Sequence, residues 1–448
     1  MTEPVLTRNI PCFPYGDPKN RHTLSFAEYK KNHGYEALAK ALESEPPDVV
    51  HTVKDSGLRG RGGAGFPCGL KWTFLPKDYE GQRYLAVNAD ESEPGTFKDR
   101  MILDFDPHML LEGIAITCYA CQLQTAYIYI RGEYHEQAEI LQNAIDEAYQ
   151  NGIFGPKGLM NGKSKFAVDC YLHRGAGAYV CGEETGLIES LEGKRGWPRI
   201  KPPFPAVEGL FGKPTIINNV ETLCNVPFII AKGSDWFKTL GCESSIGGPP
   251  SFGTKLMGVS GHVSNPAVFE CDLGIPMKKL VEEYAGGIKK GKKFKAAIPG
   301  GISMGVIDAD QYETATMDFD IGRKCECLGL GTACPTIFDE DTDMIMVARN
   351  ITRFFKNESC GQCTPCREGT AWSYKLLCRI EQGDATSKDL DLLLEIAGSM
   401  GAMPGTTICG LADGNNWAIR TIVNKFRDEF EARVKPAHIP VGITISSS

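Results

Sequence analysis

Short apolar runs alternate with helical patterns in the first half of the chain. Tyr84 to Asn88 and Ala126 to Arg131 are short runs rich in β-branched or aromatic residues, whereas Tyr134 to Tyr149 has helical spacing. Strand patterns that alternate with helical patterns favour an α/β fold. We therefore predict an α/β domain over residues 1–245.

The pattern changes between about Lys255 and Asp339, where short strand patterns surround one helical stretch, Met277 to Tyr284. The predicted strands are Lys255 to Ser260, Ala267 to Cys271 and Lys295 to Pro299. This spacing predicts a small α+β module over residues 246–340.

From Met344 onward, apolar residues recur at the three- and four-residue spacing of helices. The predicted helices are Met344 to Phe355, Arg367 to Gln382, Lys388 to Met400 and Asp413 to Val434. Ser387, followed by Asp389, is the predicted N-terminal cap of the third helix. The pattern indicates a helical bundle over residues 341–434, followed by an exposed tail, residues 435–448.

Charge and hydropathy exclude two classes of protein. The 448-residue chain has a net charge of −8 and a pI near 5.6, so it lacks the basic surface that binding to nucleic acid requires. No stretch approaches the ~20 consecutive apolar residues of a membrane-spanning helix. The N-terminal residues lack the apolar segment of a signal peptide, so we expect a cytoplasmic protein.

Three of the 17 cysteines give the strongest local signal for chemistry. Cys360, Cys363 and Cys366 recur at every third residue, which lets one tight turn direct three thiols to a single centre. Iron-sulfur cubanes and tetrahedral zinc both take four such ligands, and the spacing does not choose between them. Cys378 would lie ~18 Å from Cys366 along a helix. Cys409, in the loop between the third and fourth predicted helices, is therefore the predicted fourth ligand.

A glycine-rich segment, Gly57 to Phe66, predicts an anion-binding loop. It contains a G-x-G-x-x-G pattern, but no strand-like run precedes it, so the dinucleotide fingerprint is weak. Glycines let backbone N–H groups approach a phosphate closely, and Arg61 and Lys71 would supply compensating charge. On these residues alone, the loop is either an anion site or a tight turn.

Acidic residues follow a predicted strand and a second glycine-rich stretch. The two segments are Asn88 to Gly95 and Gly175 to Thr185. Strand ends carry ligands in α/β folds, although an isolated acidic run is most often a solvated turn. Together with Lys201 to Pro205 and Asn218 to Thr222, these segments predict one shared cofactor pocket.

Six motifs, in this order, resemble one family. They are Gly60 to Trp72, Asn88 to Gly95, Gly175 to Thr185, Lys201 to Pro205, Asn218 to Thr222 and Cys360 to Cys366. The family is the NADH-binding flavoprotein subunit of NADH:quinone oxidoreductase, respiratory complex I, a translocase. The resemblance implies a Rossmann-like FMN domain, a ubiquitin-like β-grasp (SLBB-like) module and a C-terminal four-helix bundle carrying a 4Fe-4S cluster.

The resemblance also implies a residue set for each cofactor. FMN would be bound by Gly60, Arg61, Gly62, Lys71, Asn88, Asp90, Glu91, Tyr179, Gly182, Glu183, Asn218, Asn219 and Thr222. NADH would be bound by Phe66, Lys71, Phe74, Glu93, Glu184, Lys201 and Phe204, with Glu93 and Glu184 positioning it. The cluster ligands would be Cys360, Cys363, Cys366 and Cys409.

The activity implied is hydride transfer from NADH to FMN, then single-electron transfer to the 4Fe-4S cluster and onward for quinone reduction. The implied partners are a small thioredoxin-like 2Fe-2S subunit and a large iron-sulfur subunit, in the cytoplasmic peripheral arm of an inner-membrane complex. Carboxylates at Glu93 and Glu184 would repel the 2′-phosphate of NADPH. The alternatives are a diaphorase subunit of an NAD-linked hydrogenase or formate dehydrogenase, and a non-catalytic protein with structural zinc.

The cysteine content departs from the family in two places. Cys68 stands in the glycine loop where the family commonly has threonine, and Cys325, Cys327 and Cys334 crowd the predicted α+β module. No fourth ligand is evident near the latter three, so a second metal site is not favoured. Cys181, next to Gly182, is expected close to the flavin, either packed or touching its redox balance.

Overall fold

The computed structural model describes residues 4–10, 21–401 and 406–436. Contacts divide the chain into two compact units after Glu340, and each unit is described by itself. Most of the predicted tail lies outside the described residues. Within the described ranges, no helix has the length and apolar character needed to cross a bilayer.

The first part of the first unit alternates helices with parallel strands. The helices are α1 (Phe26–Lys31), α2 (Glu36–Ala41), α3 (Pro46–Asp55), α4 (Cys68–Trp72), α5 (Lys98–Phe105), α6 (Pro107–Cys121), α7 (His135–Gln150), α8 (Leu159–Gly162), α9 (Glu184–Leu191), α10 (Val220–Lys232) and α11 (Ser234–Lys238). The strands are β1 (Tyr84–Ala89), β2 (Thr125–Ile130), β3 (Asp169–Arg174) and β4 (Thr215–Asn219). The predicted α/β fold is confirmed.

The order of the four parallel strands is β3-β2-β1-β4. Successive strands move one way from β1 to β3, and β4 then returns to the opposite side of β1. The strand order therefore reverses between β1 and β4, whose adjacent ends are paired at Asn88 and Asn219. In open parallel sheets, ligands bind outside the carboxyl ends of the strands at such a switch point.

Helix α6 forms the centre of the core because it is apolar on nearly all sides, as a fully buried helix requires,. It packs against α10, and the two backbones approach closely at Gly113. A β-carbon at Gly113 would lie 2.2 Å from the carbonyl oxygen of Leu223. Only glycine fits at this crossing.

The second part of the first unit contains a mixed sheet. The strands of this sheet are β7 (Thr254–Gly261), β8 (Ala267–Asp272), β9 (Phe294–Ile298), β10 (Ile307–Asp308) and β11 (Thr336–Asp339). Before it, β5 (Gly241–Cys242) and β6 (Ser251–Phe252) form a separate two-stranded sheet. The helices of this part are α12 (Met277–Lys279), which continues as a π-helical turn (Leu280–Tyr284), α13 (Ala309–Tyr312) and α14 (Ile321–Lys324). The sheet order is β10-β9-β11-β7-β8, with β7 and β11 parallel and the other pairs antiparallel.

The second unit is helical, as predicted. Its helices are α15 (Met344–Glu358), α16 (Thr364–Glu381), α17 (Ser387–Gly401), α18 (Leu411–Lys425) and α19 (Arg427–Glu431). Helix α15 packs against α16 and α18, and α17 packs against the same two helices. The last predicted helix is interrupted at Phe426, which separates α18 from α19.

The predicted cap at Ser387 was wrong by one residue. Helix α17 begins at Ser387 itself, and the carboxylate of Asp389 accepts hydrogen bonds from the backbone N–H (2.7 Å) and hydroxyl (2.9 Å) of Thr386. The cap forms one residue earlier because Thr386, rather than Ser387, lies within reach of the third-position carboxylate.

We predict opposite effects for two glycine-to-alanine substitutions. Gly113→Ala should lower the free energy of unfolding of the first unit by ~1–3 kcal/mol, because its methyl group would collide with the α10 backbone. Gly398→Ala is the control, since Gly398 lies inside α17 with open space around a β-carbon. It should stabilise the second unit by ~0.5–1 kcal/mol. Urea denaturation followed by circular dichroism measures both; an unchanged Gly113→Ala midpoint would contradict the close crossing.

Candidate functional site

The glycine loop connects α3 to α4 and lies at the carboxyl end of β4. The backbone N–H of Arg61 donates to the hydroxyl of Thr222 (2.8 Å). A β-carbon at Gly62 would lie 3.0 Å from the β-carbon of Asn219, whereas one at Gly63 would meet no atom within 4 Å. The loop therefore lies beside the start of α10, at the switch point, and has open space at Gly63.

The side chain of Arg61 is fully buried. Its Nη2 donates to the carbonyl oxygen of Phe252 (2.7 Å), while Nε and Nη1 have no hydrogen-bond partner in the described structure. Burial lowers the pKa of Arg61 to about 10 although Glu221 opposes the shift, so the guanidinium is charged at neutral pH. A buried cation with unused donors fits an anionic ligand group.

Two more cations are buried beside Arg61. The Nζ atom of Lys98 lies 2.8 Å from Asp99 Oδ1 and 2.7 Å from Glu221 Oε2. The Nζ atom of Lys255 lies 2.9 Å from the same Glu221 oxygen and donates to the carbonyl oxygen of Arg61 (3.2 Å). Three cations thus meet the carboxylates of Asp99 and Glu221 beneath the glycine loop, and the carboxyl of Glu91 also acts on Lys98.

The pKa shifts in this cluster follow from burial and from the opposite charges. Burial raises the pKa of Glu221, but Lys255 and Lys98 outweigh it and lower that pKa to about 2. Burial lowers the pKa of Lys255 to about 8 in spite of Glu221. Burial would likewise lower the pKa of Lys98, but Asp99 and Glu221 raise it above its ordinary value.

Sequence reasoning missed Lys98, Asp99, Glu221 and Lys255. Glu221 lies inside the Asn218 to Thr222 motif, and Lys255 is a fully buried lysine in an otherwise apolar strand. Lys255 could have indicated this cluster, because it lies at a core position of a strand pattern. A buried lysine requires an anionic or hydrogen-bonding partner.

The predicted residues at the end of β1 divide into two groups. The side-chain amide of Asn88 donates to the carbonyl oxygen of Gly182 (2.8 Å), and a β-carbon at Gly182 would lie 3.2 Å from Asp90 Oδ2. Glu91 instead accepts from the backbone N–H groups of Asp99 (2.7 Å) and Arg100 (2.9 Å). The Glu91 carboxylate therefore caps the start of α5, and burial raises its pKa to about 7.

Two lysines and two glutamates meet at the start of α9. Lys201 Nζ lies 2.9 Å from Glu183 Oε1 and 2.8 Å from Glu184 Oε1. Lys71 Nζ lies 3.1 Å from Glu184 Oε2. Burial alone would raise the pKa of Glu184, but Lys71 and Lys201 lower it, so this carboxylate is ionised at neutral pH. The other oxygen of Glu183 caps α9.

The two asparagines at the end of β4 have structural partners. Asn218 Oδ1 accepts from the indole N–H of Trp72 (3.0 Å), and its amide nitrogen lies 3.6 Å from the thiol of Cys68. Asn219 donates to Asp99 (2.7 Å) and caps α10. Burial raises the pKa of Cys68 to about 12, so this unexpected residue is a packed, protonated thiol.

Of the three phenylalanines predicted to contact adenine, the structure pairs two. The rings of Phe66 and Phe74 have centroids 6.0 Å apart, and all three phenylalanines are about half exposed. The described structure does not bring Phe204 into ring contact with either of them. Tyr179, on a 3-10 turn, donates its hydroxyl to Glu93 Oε2 (2.6 Å).

The predicted cluster ligands lie at the start of α16 and in the loop before α18. The Sγ atom of Cys366 lies 3.3 Å from the hydroxyl of Ser359, and the backbone N–H of Ile408 points at the Sγ atom of Cys363 (3.4 Å). This contact brings the loop that holds Cys409 to the cysteine turn. Burial raises the pKa of the Cys366 thiol, and the neighbouring thiols Cys360 and Cys363 raise it further.

The arrangement of the cysteines differs from a site for a single metal ion. Within the described ranges, no group of three histidine, cysteine or acidic residues is placed to hold one metal ion. A cubane differs from a mononuclear site because each of its four thiolates binds a different iron atom. Cys378 and Cys366 lie on the same helix, α16, as predicted. Their separation along that helix is too large for both to bind one cluster.

Two family models match the chain. Residues 53–228 match the Nuo51 FMN-binding domain, and residues 346–433 match the NADH-ubiquinone oxidoreductase-F iron-sulfur binding region. Together with the site, these matches define the class of protein as an oxidoreductase that binds FMN and a 4Fe-4S cluster and uses NADH as its substrate.

The curated relatives identify the family. The chain is 47% identical over 441 residues to an NADH-quinone oxidoreductase F subunit (numbered 2) of Rhizobium meliloti (strain 1021), covering 98% of this chain and 100% of the relative. It is 49% identical over 389 residues to the NADH-quinone oxidoreductase F subunit of Rhodobacter capsulatus, covering 86% and 87%. The chain belongs to the family of NADH-quinone oxidoreductase F subunits.

Solved structures show a similar fold. The chain matches a chain of an NAD+-reducing NiFe hydrogenase in the air-oxidised state with a TM-score of 0.78 and 34% identity, covering 95% of this chain and 68% of that chain. The H2-reduced state of such a hydrogenase matches with a TM-score of 0.80 and 33% identity, covering 94% and 68%.

We predict that the buried charge cluster is required for stability. Glu221→Gln should lower the free energy of unfolding by ~3–5 kcal/mol, because it leaves the buried ammonium groups of Lys98 and Lys255 without their shared partner. Glu313→Gln is the control, since it breaks an exposed ion pair with Lys278 that contributes little,. Urea denaturation compares the two variants, and equal midpoints would contradict the prediction.

Proposed function

We propose that the chain is the electron-input subunit of an NADH:quinone oxidoreductase and that the residues at the switch point hold FMN and NADH. The main support is that four segments lie at one edge of the sheet. They are the glycine loop, the end of β1, the start of α9 and the end of β4. Bound FMN accepts a hydride from NADH and delivers electrons singly to the 4Fe-4S cluster. The chain itself supplies binding, orientation and charge.

The glycine loop fits the phosphate of FMN. Gly63 leaves room for an oxyanion near the backbone, and the buried cations Arg61, Lys98 and Lys255 lie beneath the loop. A phosphate would pair with this positive charge, and the unused donors of Arg61 add favourable potential in a low-dielectric site,. The contacts of Asn88 with Gly182 and the closeness of Gly182 to Asp90 support a place for the flavin at the same edge.

Lys71, Lys201, Glu184 and Glu93 fit the polar parts of NADH. The two lysines are already oriented by Glu184, so each can meet an oxygen of the dinucleotide without first losing side-chain freedom. Phe66 and Phe74 are exposed aromatic faces suited to stacking on adenine, and Phe204 would complete that set when the dinucleotide is bound.

The cysteine turn fits an iron-sulfur cluster. Four thiols lie at or near a helix N-terminus and in a neighbouring loop, and the N-terminal end of α16 favours the negative charge of thiolate ligands,. The N–H group of Ile408, directed at Cys363, is the kind of sulfur hydrogen bond that tunes cluster potential.

We infer that the mixed sheet is the β-grasp module of the family and that α15 to α18 form its four-helix bundle. The first and last strands of the mixed sheet in chain order, β7 and β11, are parallel neighbours, which supports the first inference. Packing of each of the four helices against two others supports the second.

The family is that of a subunit, so the chain has partners in a multisubunit complex. We propose a small thioredoxin-like 2Fe-2S subunit and a large iron-sulfur subunit, in the peripheral arm on the cytoplasmic side of a membrane. The alternative, a diaphorase subunit of an NAD-linked hydrogenase, draws support from the hydrogenase match. The lower identity of that match, 34% against 47–49%, favours the quinone oxidoreductase.

We predict that the iron-sulfur cluster depends on Cys409. The chain, purified anaerobically, should show flavin absorption that bleaches on addition of NADH, and an EPR signal of a reduced cluster. Cys409→Ser should lose most iron and inorganic sulfide but retain FMN and NADH-dependent bleaching. Cys378→Ser, on the same helix as Cys366, should retain iron. Iron loss from Cys378→Ser instead would show that the fourth ligand is misassigned, and stoichiometric zinc in a colourless protein would overturn the proposed function.

We predict that Glu184 contributes to discrimination against NADPH. The carboxylate is ionised and would face the added phosphate, so NADH should have the higher kcat/KM. Glu184→Gln should raise kcat/KM for NADPH by about tenfold relative to that for NADH, since the repelling charge is removed and Lys71 loses its internal anion,. Steady-state assays with ferricyanide measure both substrates, with Glu208→Gln, an exposed glutamate, as control. An unchanged ratio would assign the preference to another residue.

A further inference from the structure

Ser303 contacts a predicted NADH residue from a distant part of the chain. It lies in the glycine-rich segment Gly300 to Gly305 of the mixed-sheet part, and its backbone N–H donates to Glu93 Oε1 (2.8 Å). Its hydroxyl donates to Glu93 Oε2 (2.9 Å). Both oxygens of the carboxylate are therefore held by one residue, 210 positions away in sequence.

The loop around Ser303 is shaped to press against Glu93. Gly301 has a φ of +95°, a conformation that favours glycine, and a β-carbon there would lie 2.3 Å from Cγ of Glu93. No other residue type allows the loop to approach this closely. The side chain of Glu93 is consequently fixed along its stem as well as at its carboxylate.

The rest of the acidic segment is held by the same part of the fold. The hydroxyls of Thr96 and Thr332 share a hydrogen bond (2.7 Å), and a β-carbon at Gly95 would lie 3.0 Å from the hydroxyl oxygen of Thr336. The segment that leaves β1 thus runs along the mixed sheet, which fixes its position relative to the parallel sheet.

Tyr179 and Ser303 supply three hydrogen-bond donors to the carboxylate of Glu93. A carboxylate has about four lone-pair directions. The hydroxyl of Tyr179 and the two donors of Ser303 use three of them, two on Oε2 and one on Oε1. The fourth direction, on Oε1, would accept from a hydroxyl or amide N–H of a bound dinucleotide.

We propose that Ser303 is a positioning residue for the dinucleotide, which orients the carboxylate of Glu93 toward the bound ligand. This inference rests on the proposed function, in which Glu93 contacts NADH. The donors of Ser303 also favour the ionised form of Glu93, because they oppose the rise in its pKa that burial causes. Ser303 itself need not touch the ligand.

A double-mutant cycle on the full-length flavin-loaded chain tests the proposal. Ser303→Ala should weaken NAD+ binding, measured by calorimetry, by about tenfold, the size of one hydrogen bond to a charged group. It should raise KM for NADH similarly and leave kcat within about twofold. In a Glu93→Gln background the same change should weaken binding by less than about twofold, because Ser303 acts through Glu93.

Two further variants separate positioning from folding. Ser260→Ala removes a hydroxyl that shares a hydrogen bond with Thr336 (3.2 Å) in the same sheet, and it should leave NAD+ affinity unchanged. If Ser303→Ala does not accumulate, Ser303→Cys, with a weaker donor of similar size, should show a smaller loss through the same cycle.

Three outcomes would overturn the inference. An equal loss of affinity in the Glu93→Gln background would show that Ser303 acts independently of Glu93. If Ser303→Ala bound NAD+ with wild-type affinity while Glu93→Gln bound it more weakly, the positioning role of Ser303 would be rejected. The proposed function would stand. Wild-type affinity in Glu93→Gln would instead reject the proposed role of Glu93, and the inference with it.

Discussion

Five charged side chains buried beneath the glycine loop impose the constraint on which the first unit depends. Each charge removed from water costs several kcal/mol, and good geometry among the charges must offset that cost. Glu221 satisfies two lysines at once, and Asp99 is held by Lys98 and Asn219. The glycine loop, α5, α10 and β7 therefore have fixed relative positions, and they meet at the place where the sheet changes its strand order.

The sign of the charge then differs between the floor and the rim of the site. The buried floor beneath the glycine loop contains Arg61, Lys98 and Lys255 and suits a phosphate, whereas the rim carries Glu93 and Glu184. At the rim, Lys71 and Lys201 neutralise Glu183 and Glu184, while Glu93 is held by hydroxyl and backbone donors without a cation among its hydrogen-bond partners. In the proposed function, this arrangement would accept a dinucleotide diphosphate and oppose an additional phosphate near the glutamates.

Local sequence patterns predicted the features that depend on residues close together in the chain, namely the helices, the strands and the fold class. Alternating strand and helix patterns predicted the α/β fold, and helical periodicity predicted the C-terminal helices. An up-down order of the C-terminal helices predicted that the loop with Cys409 lies at the same end as Cys360. The contact between Ile408 and Cys363 agrees with that prediction. The division between α18 and α19 was missed, because the apolar spacing continues through Phe426.

Pairing between distant residues could not be read from those patterns. Lys255 and Glu221 are 34 positions apart, and Ser303 and Glu93 are 210 positions apart. Neither Lys255 nor Ser303 lies in a recognisable motif, and each acquires its role from the partner that the fold places beside it. The predicted FMN and NADH sets are still predictions, but Glu91 is now known to cap a helix with its carboxylate.

These two pairings bear on how the first unit is organised. Lys255 on β7 neutralises Glu221 at the start of α10, and Ser303 orients Glu93 at the end of β1. If the mixed sheet separated from the parallel sheet, the buried carboxylate of Glu221 would lose Lys255, one of its two lysines. The carboxylate of Glu93 would lose the two donors of Ser303 and keep only Tyr179. Because both losses are costly, the two sheets are expected to unfold together. The division of the chain after Glu340, with both sheets in one compact unit, agrees with that expectation.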